Sequence, residues 1–475
     1  MKRVLLLLLA LSLSACMVGP DYRRPDIEAP AAWRVDKAEA GEISNLAWWQ
    51  QFQDPVLARL VGQALENNKD LEIATANVDQ AFAQYGITRA AQWPQVDAGA
   101  SASRQRLSET AGPVPPPAGR QVVKDFDASL SASFEIDVWG RLRRASESAR
   151  ASLLASEEGR RTVLMTLVST VASAYIQLRA LDRQLDIAQR TSQSLGEAAR
   201  LQRLRFNEGA VPESDYRQAE SQYQTAAAQV PELERQVARQ ENFISVLLGR
   251  NPGPIARGRE IEALLFPAVP DGLPASLLER RPDIRQAEQN LIAANADIGV
   301  AKAAYFPRIS LTAALGFESA ALSDLFKRTS RTGAIGADMT LPIFNAGRIR
   351  NQVARAEAFQ REALSSYEKS ILVGFQEVEN ALIDRTKFSQ AREVQASNVA
   401  ALQRFRDLAA LRYKEGATIY LEVANAEQSL FNAQLAYVAT QSQLFQSYAN
   451  LYKAMGGGWV AQVEELAAKS GDALN

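Results

Sequence analysis

Residues 65–249 and 278–456 of this chain carry one pattern twice: helix, strand, loop, strand, very long helix, tight turn, long helix. At an offset of 213 residues, Leu65-Glu66 meets Leu278-Glu279, Asp70 meets Asp283, Gly86 meets Gly299, and Trp93-Pro94 meets Phe306-Pro307. At an offset of 207, Gly140-Arg141-Leu142-Arg143 meets Gly347-Arg348-Ile349-Arg350, and Glu208-Gly209-Ala210 meets Glu415-Gly416-Ala417. The offset changes only in the loop between the two strands, where a change of length is cheapest. Repeated units of this kind pack side by side, and a ring of them encloses a conduit.

The chain's first residues read as an address. Lys2 and Arg3 precede a short apolar run, Val4 to Leu13, that cannot span a bilayer. It ends in Leu13-Ser14-Ala15-Cys16, which resembles a bacterial lipobox. Residues 1–15 are then a removed lipoprotein signal, and Cys16 carries the lipid. The plainer alternative is an ordinary secretory signal with a chance cysteine. Met17 after the cysteine, in place of Asp, resembles the pattern of sorting to the outer membrane. Several buried acyl chains make such an anchor effectively permanent.

Composition narrows the chemistry. A sole cysteine excludes internal disulfides and thiolate metal clusters. With no histidine, the commonest general base and metal ligand is missing. No nucleophile elbow and no phosphate loop are present, so an enzyme is not expected. Neither is a cofactor, beyond the lipid on Cys16. A net charge of −1 gives no footprint for nucleic acid. Beyond the leader no segment approaches twenty consecutive apolar residues, so a membrane would be crossed by strands.

The strand candidates alternate. Phe126, Ala128, Leu130, Ala132, Phe134 and Ile136 fall on one face; Asp127, Ser129, Ser131, Ser133, Glu135 and Asp137 fall on the other. In the second copy, Ile309, Leu311, Ala313, Leu315 and Phe317 oppose Ser310, Thr312, Ala314, Gly316 and Glu318. Residues 95–103 and 333–343 alternate more weakly. Runs of about ten residues suit tilted membrane strands, although a soluble half-buried sheet also alternates.

The helix candidates are long. Residues 55–92 read as one helix. Gly140 to Asn207 contains no proline, and Leu164, Leu167, Val171, Ala174, Leu178, Leu181, Leu185, Ala188, Ser192, Leu195 and Ala199 keep a heptad spacing. A helix of that length is roughly 100 Å long. The counterpart from 347 to 414 has poorer heptads. Each long helix ends at a turn whose glycine, Gly209 or Gly416, suits a left-handed position. Pro231 inside the first return helix predicts a kink or break, in copy one only. Residues 16–54 read as an extended tether, 250–274 as a proline-rich linker, 104–124 as an exposed loop, and 457–475 as a fraying tail.

Four membrane strands cannot close a barrel, and open sheet edges are not tolerated in lipid. Several chains must therefore share one barrel. Three give twelve strands and gather twelve helical segments into a tube.

At this point the chain resembles the outer membrane factors of the TolC/OprM type. The resemblance is carried by Val18-Gly19-Pro20-Asp21-Tyr22, by Leu278-Glu279-Arg280-Arg281-Pro282-Asp283-Ile284, by Ala301-Lys302-Ala303-Ala304-Tyr305-Phe306-Pro307, and by Gly456-Gly457-Gly458-Trp459. It covers nearly the whole mature chain. It implies a fold that is mostly α with a membrane β-barrel part: a duplicated strand-pair plus long-helix unit, completed as a trimeric channel-tunnel of β-barrel and periplasmic α-barrel. The two repeats are then residues 55–249 and 275–456, with 16–54 and 250–274 in an equatorial belt. The implied task is the exit duct of a tripartite efflux pump. The implied partners are two further copies of the chain, a periplasmic adaptor (membrane fusion) protein, an inner membrane pump of the resistance-nodulation-division class, and outer membrane lipid.

The resemblance also places a gate at the periplasmic ends of the inner helices, with acidic rings. The matching positions are Glu422 and Asn425, whose first-copy counterparts are Asp215 and Gln218. Asn425 departs from the acid of some relatives, which puts a double acidic ring in doubt. Glu422 also has a plainer role, as an acid favoured at a helix start. Arg412 and Tyr413 precede the same turn and are candidates to pair across helices and hold it shut. The turns Gly209-Ala210-Val211 and Gly416-Ala417-Thr418 are the expected adaptor contact. On the inward barrel face, Asp97, Asp127, Glu135, Asp137, Glu318 and Asp338 stand against Arg308, which predicts a modest cation preference. Two other readings stay open: the duct of a type I protein secretion system, and a lipid-anchored coiled-coil scaffold without a pore.

Overall fold

The computed structural model describes residues 17–26, 47–108, 122–268 and 277–456. The leader, Cys16, most of the tether, the tip of the strand loop, the end of the linker and the tail lie outside these. The elements run α1 (Pro55–Asn67), α2 (Lys69–Ala90), β1 (Gln95–Arg106), β2 (Val122–Ile136), α3 (Arg141–Asn207), α4 (Glu213–Leu247), α5 (Leu277–Arg280), α6 (Pro282–Ala303), β3 (Arg308–Ser319), β4 (Arg331–Thr340), α7 (Arg348–Lys414) and α8 (Tyr420–Ala454). In the long helices the duplication is kept to the residue. Helices α3 and α7 have 67 residues each, and α4 and α8 have 35 each.

The chain divides into two compact units. One holds Asn77–Ser156 and Gln286–Tyr367, with the N-terminal stretch that ends at Asp26. Its centre is a four-stranded antiparallel sheet in the order β1-β2-β3-β4. The register lines up one apolar face across the whole sheet: Ala98, Leu130 and Leu315 are successive partners, as are Val96, Ala132, Ala313 and Ile335. Side chains alternate between faces, so the polar residues line up on the other side. Leu130, Leu315, Ile335 and Met339 are exposed within the chain. The outer edges of β1 and β4 pair with no strand among the described residues. Residues 341–343, read as strand, leave β4 before Pro342, which has no N–H for a ladder.

In the same unit the Gly-Pro-Asp-Tyr segment is held at close quarters. The Val18 N–H donates to the Trp139 carbonyl (3.1 Å), and the buried Arg144 guanidinium donates to Asp21 (2.6 Å). Asn295 donates to the Pro20 carbonyl (2.9 Å), and the Tyr22 hydroxyl to Glu288 (3.1 Å). A Cβ on Gly19 would stand 2.5 Å from the Gly299 backbone, so only glycine fits there.

The second unit holds Glu157–Arg285 and Glu368 onward, with the segment that ends at Ala76. Its core surrounds the middle of α3. The expected seam is buried from Leu164 to Ala199 except at Leu185 and Ser192, which are half-buried, and Met165, Val168, Ala172, Tyr175 and Ile176 are buried as well. The helix is therefore enclosed on a wider arc than a two-stranded seam requires. The tether reading fails at its end. Trp48–Phe52 form a 3-10 turn inside the core, with Trp48 stacked on Tyr452 at 5.2 Å. Burying two indoles and a phenyl outweighs any tendency of this stretch to stay extended.

Residues 55–92 are two helices, not one. Asn68 takes an extended conformation, its Oδ1 accepts from the Leu71 N–H (3.1 Å), and its Nδ2 donates to the Leu247 carbonyl (2.9 Å). It thus ends one helix, starts the next, and covers an orphan carbonyl at the end of α4. The second copy repeats the device with another residue. Arg281, 2% exposed, donates to the carbonyl of Ala454 (3.0 Å), the last residue of α8. Pro231 does not break α4, which runs without interruption from Glu213 to Leu247. Val230 and Leu233 pack on the core beside it, so burial holds the turn that lacks a hydrogen bond.

The described part of the linker is strapped to this core. The Asp54 carboxylate, 2% exposed, caps α1 through the Val56 N–H (2.8 Å). It also accepts from the Tyr175 hydroxyl (2.9 Å) and the Arg259 N–H (2.9 Å). Burial and the facing carboxylate push the Tyr175 phenol above its ordinary value. A Cβ on Gly258 would collide with Asp54 at 2.1 Å.

Candidate functional site

The two helix–helix turns close with the same hydrogen bonds. Ala210 N–H donates to Arg205 O and Ala417 N–H to Arg412 O, each at 2.8 Å; Gly209 and Gly416 take φ of +72° and +73°. This is the Schellman closure that a glycine at C′ permits. Gly209, Ala210, Gly416 and Ala417 are exposed, and Val211 and Thr418 half-buried.

Around this shared frame the side chains differ. In copy two, Arg412 donates to Glu422 (2.6 Å), and the Thr418 hydroxyl donates to the other oxygen of the same carboxylate. Glu422 is therefore bound within its own hairpin. Among the described residues the carboxylate of its counterpart Asp215 takes a long hydrogen bond from Ser214 (3.4 Å) and no ion pair. Asn425 is exposed and Gln218 half-buried.

Near the turns, Tyr413 bonds the second copy to the first. Its hydroxyl accepts from Gln202 (2.8 Å) and from Arg205 (3.3 Å), both on α3, and its ring meets Tyr420 edge-on at 5.5 Å. Tyr420 and Ala424 pack with Ala199 and Ala219 in a small cluster. Burial there pushes the Tyr420 phenol up to about 12, with Tyr413, Glu427 and Asp215 adding to the shift. The first-copy counterpart of Tyr413 is Phe206, which stacks on Tyr216 at 6.0 Å and has no hydroxyl to offer. The sequence reading found Tyr413 and Arg412 but missed Gln202 and Tyr420. A glutamine within the apolar seam at the end of α3 was the available signal.

The polar face of the sheet is a second, separate candidate region. Asp127 and Glu318 are register partners, and Asp338 faces Ser310, which faces Glu135. Asp127 accepts from the Ser129 hydroxyl (2.9 Å), and two further expected acids are engaged by arginines. Glu135 accepts two bonds from Arg141 (2.9 and 2.8 Å) and one contact from Arg308 (2.8 Å). Asp137 accepts from the Arg143 N–H (2.9 Å), as a cap at the start of α3. Among the described residues no group of three or more acidic, histidine or cysteine side chains is placed to hold a metal.

Both repeats match one family profile, that of the outer membrane efflux proteins, over residues 60–250 and 273–457. The chain belongs to the outer membrane efflux protein family. It is 35% identical over 457 residues to the solvent efflux pump outer membrane protein SrpC of Pseudomonas putida, covering 94% of this chain and 97% of that one. It is 36% identical to the pyoverdine export outer membrane protein OpmQ of Pseudomonas aeruginosa, covering 99% of each. The Campylobacter jejuni CmeC outer membrane channel has the same fold, with a TM-score of 0.87 and 27% identity over 95% of this chain and 98% of that one. The outer membrane efflux protein described here is thus a channel-tunnel component located in the outer membrane. Its family forms channels, not enzymes.

Proposed function

We propose that three copies of this chain close one twelve-stranded barrel and one helical tunnel, and that the assembly is the exit duct of a tripartite pump. The sheet carries the reading. Its apolar face exposes Leu130, Leu315, Ile335 and Met339, its polar face is continuous, and its two outer edges pair with no strand among the described residues. In lipid such edges need a partner strand, and a second copy supplies one. The duct opens to small toxic compounds delivered by an inner membrane pump of the resistance-nodulation-division class through a periplasmic adaptor. The adaptor meets the exposed turns Gly209-Ala210-Val211 and Gly416-Ala417-Thr418. The names of the relatives, one concerned with solvents and one with pyoverdine, support efflux of small molecules.

Passage is gated where Tyr413 joins α7 to α3. Glu422, with Arg412 and Thr418, sets the charge at the mouth, and Asp215, Gln218 and Asn425 complete it. Cys16 carries the lipid anchor; its neighbour Met17 lies against Gly140, where β2 passes into α3. The acids not held by arginine, Asp97, Asp127, Glu318 and Asp338, favour cations in the upper lumen.

Deleting the gene tests the reading. Susceptibility to a panel of solvents, dyes and antibiotics rises, and the wild-type gene restores it. Unchanged susceptibility with the loss of one secreted protein would support the type I secretion duct instead. An absence of ion conductance in planar bilayers would leave only the coiled-coil scaffold.

A further inference from the structure

At the base of the sheet's polar face, where β2, β3 and β4 meet the starts of α3 and α7, lies a cavity of about 560 Å³. Glu135, Trp139, Arg141, Phe306, Arg308 and Arg348 are among its walls. Three guanidiniums line it beside Glu135 and Asp137. Glu135 satisfies Arg141 and Arg308, as described above, while Asp137 is occupied by Arg143. Arg348 has no carboxylate partner among the described residues.

The duplication explains the surplus. Arg348 is the second-copy counterpart of Arg141, and the position matching Glu135 is Pro342. The first copy supplies an acid for its arginine, and the second supplies a proline that also lines the cavity. Beside the guanidiniums, Trp139 and Phe306 stack at 4.6 Å with their planes 26° apart. The Trp139 indole N–H is fixed on the Pro307 carbonyl at 2.8 Å, so the ring pair is held in place. Guanidinium groups favour carboxylate and sulfonate oxygens, and the adjoining aromatic surface favours a flat apolar body.

We propose that this cavity is a subsite for aromatic anions, one per chain, at the passage from the barrel to the helical tunnel. Its place in the lumen rests on the duct reading above, but its existence as a binding site does not. The surplus charge draws an anionic solute to the wall, and the stacked rings accept its apolar side. Binding is weak, because Arg348 is exposed, and a weak site lets the solute leave.

The test is equilibrium dialysis of 2-naphthalenesulfonate against the full chain in nanodiscs, with empty nanodiscs as blank and 1-naphthylmethylammonium as the probe of opposite charge. Two variants guard against a folding defect. Arg348→Gln removes the surplus cation, and Pro342→Glu restores the acid that copy one has. Both are expected to weaken sulfonate binding by about three- to tenfold, the range for an exposed charge-assisted contact. The ammonium probe is expected not to bind at this site. Equal sulfonate binding in the wild type and both variants would overturn the proposal, as would equal binding of the ammonium. A parallel planar-bilayer recording separates the two readings: naphthalenesulfonate binding without any conductance refutes the duct and leaves the site standing.

Discussion

The two copies share a backbone and differ in what holds it. Their long helices match in length, and their turns close with the same bonds and the same glycine geometry. Yet Asn68 stands where Arg281 stands, Phe206 where Tyr413 stands, and Glu135 where Pro342 stands. The differences fall on side chains that bridge elements, and the repeated frame is carried by backbone bonds and glycines. A ring built from such units keeps its pitch because the backbone repeats. It acquires distinct joints because the bridging residues do not.

The two copies are expected to differ most in stability at the paired helix caps. Arg281 is buried and bonds Asp283, Glu377 and the Ala454 carbonyl at 2.6–3.0 Å. Arg281→Ala is expected to cost about 3–5 kcal/mol, the range for breaking a buried ionic network. Asn68→Ala removes one cap and one carbonyl bond, and is expected to cost about 1–2 kcal/mol. Thermal unfolding of the two variants in detergent checks this, and equal losses would contradict the ranking.

The glycines that follow the return helices come next. Gly249 and Gly456 both take positive φ, +66° and +88°. A Cβ would stand 2.0 Å from the Asn67 carbonyl oxygen at the first and 3.1 Å from the Arg280 backbone at the second. Gly249→Ala is therefore expected to destabilise more than Gly456→Ala, with the strain at each on the order of 1–3 kcal/mol. Melting temperatures in the reverse order would show that copy two is the tighter joint.

The smallest effect on stability belongs to the tips. Tyr413→Phe deletes the acceptor of Gln202 and Arg205 and makes copy two resemble copy one. It is expected to shift the proposed gate toward opening by about 1 kcal/mol, roughly a fivefold change in conductance. The reciprocal Phe206→Tyr is expected to leave the conductance unchanged. Single-channel recording distinguishes them, and a gate equally sensitive at both positions would remove the asymmetry.

Much of this architecture was legible because two independent periods were visible. The strict alternation of Phe126 to Asp137 reported a sheet with two unlike faces, and the heptad from Leu164 to Ala199 reported a buried helix. The glycine turns were legible because only a positive φ explains glycine at both positions. Less legible were the joints made by side chains distant in sequence. Nothing local marks Asn68 as a double cap, since its partner carbonyl, Leu247, is far along the chain. Trp48 and Phe52 were read as part of a tether because their burial depends on Tyr452 and Phe445, at the other end of the chain. The charge of the polar face was overcounted for the same reason: Arg141 and Arg143, which engage Glu135 and Asp137, lie beyond the strand on α3, and only Arg308 had been weighed against the acids.

On the proposed reading the sheet edges are completed by other copies of the chain. Electron microscopy of the full-length protein in nanodiscs measures this directly. The expected image has threefold symmetry and twelve strands, with β1 of one chain against β4 of the next. A particle of one chain, or of three chains whose β1 and β4 edges remain unpaired, would contradict it.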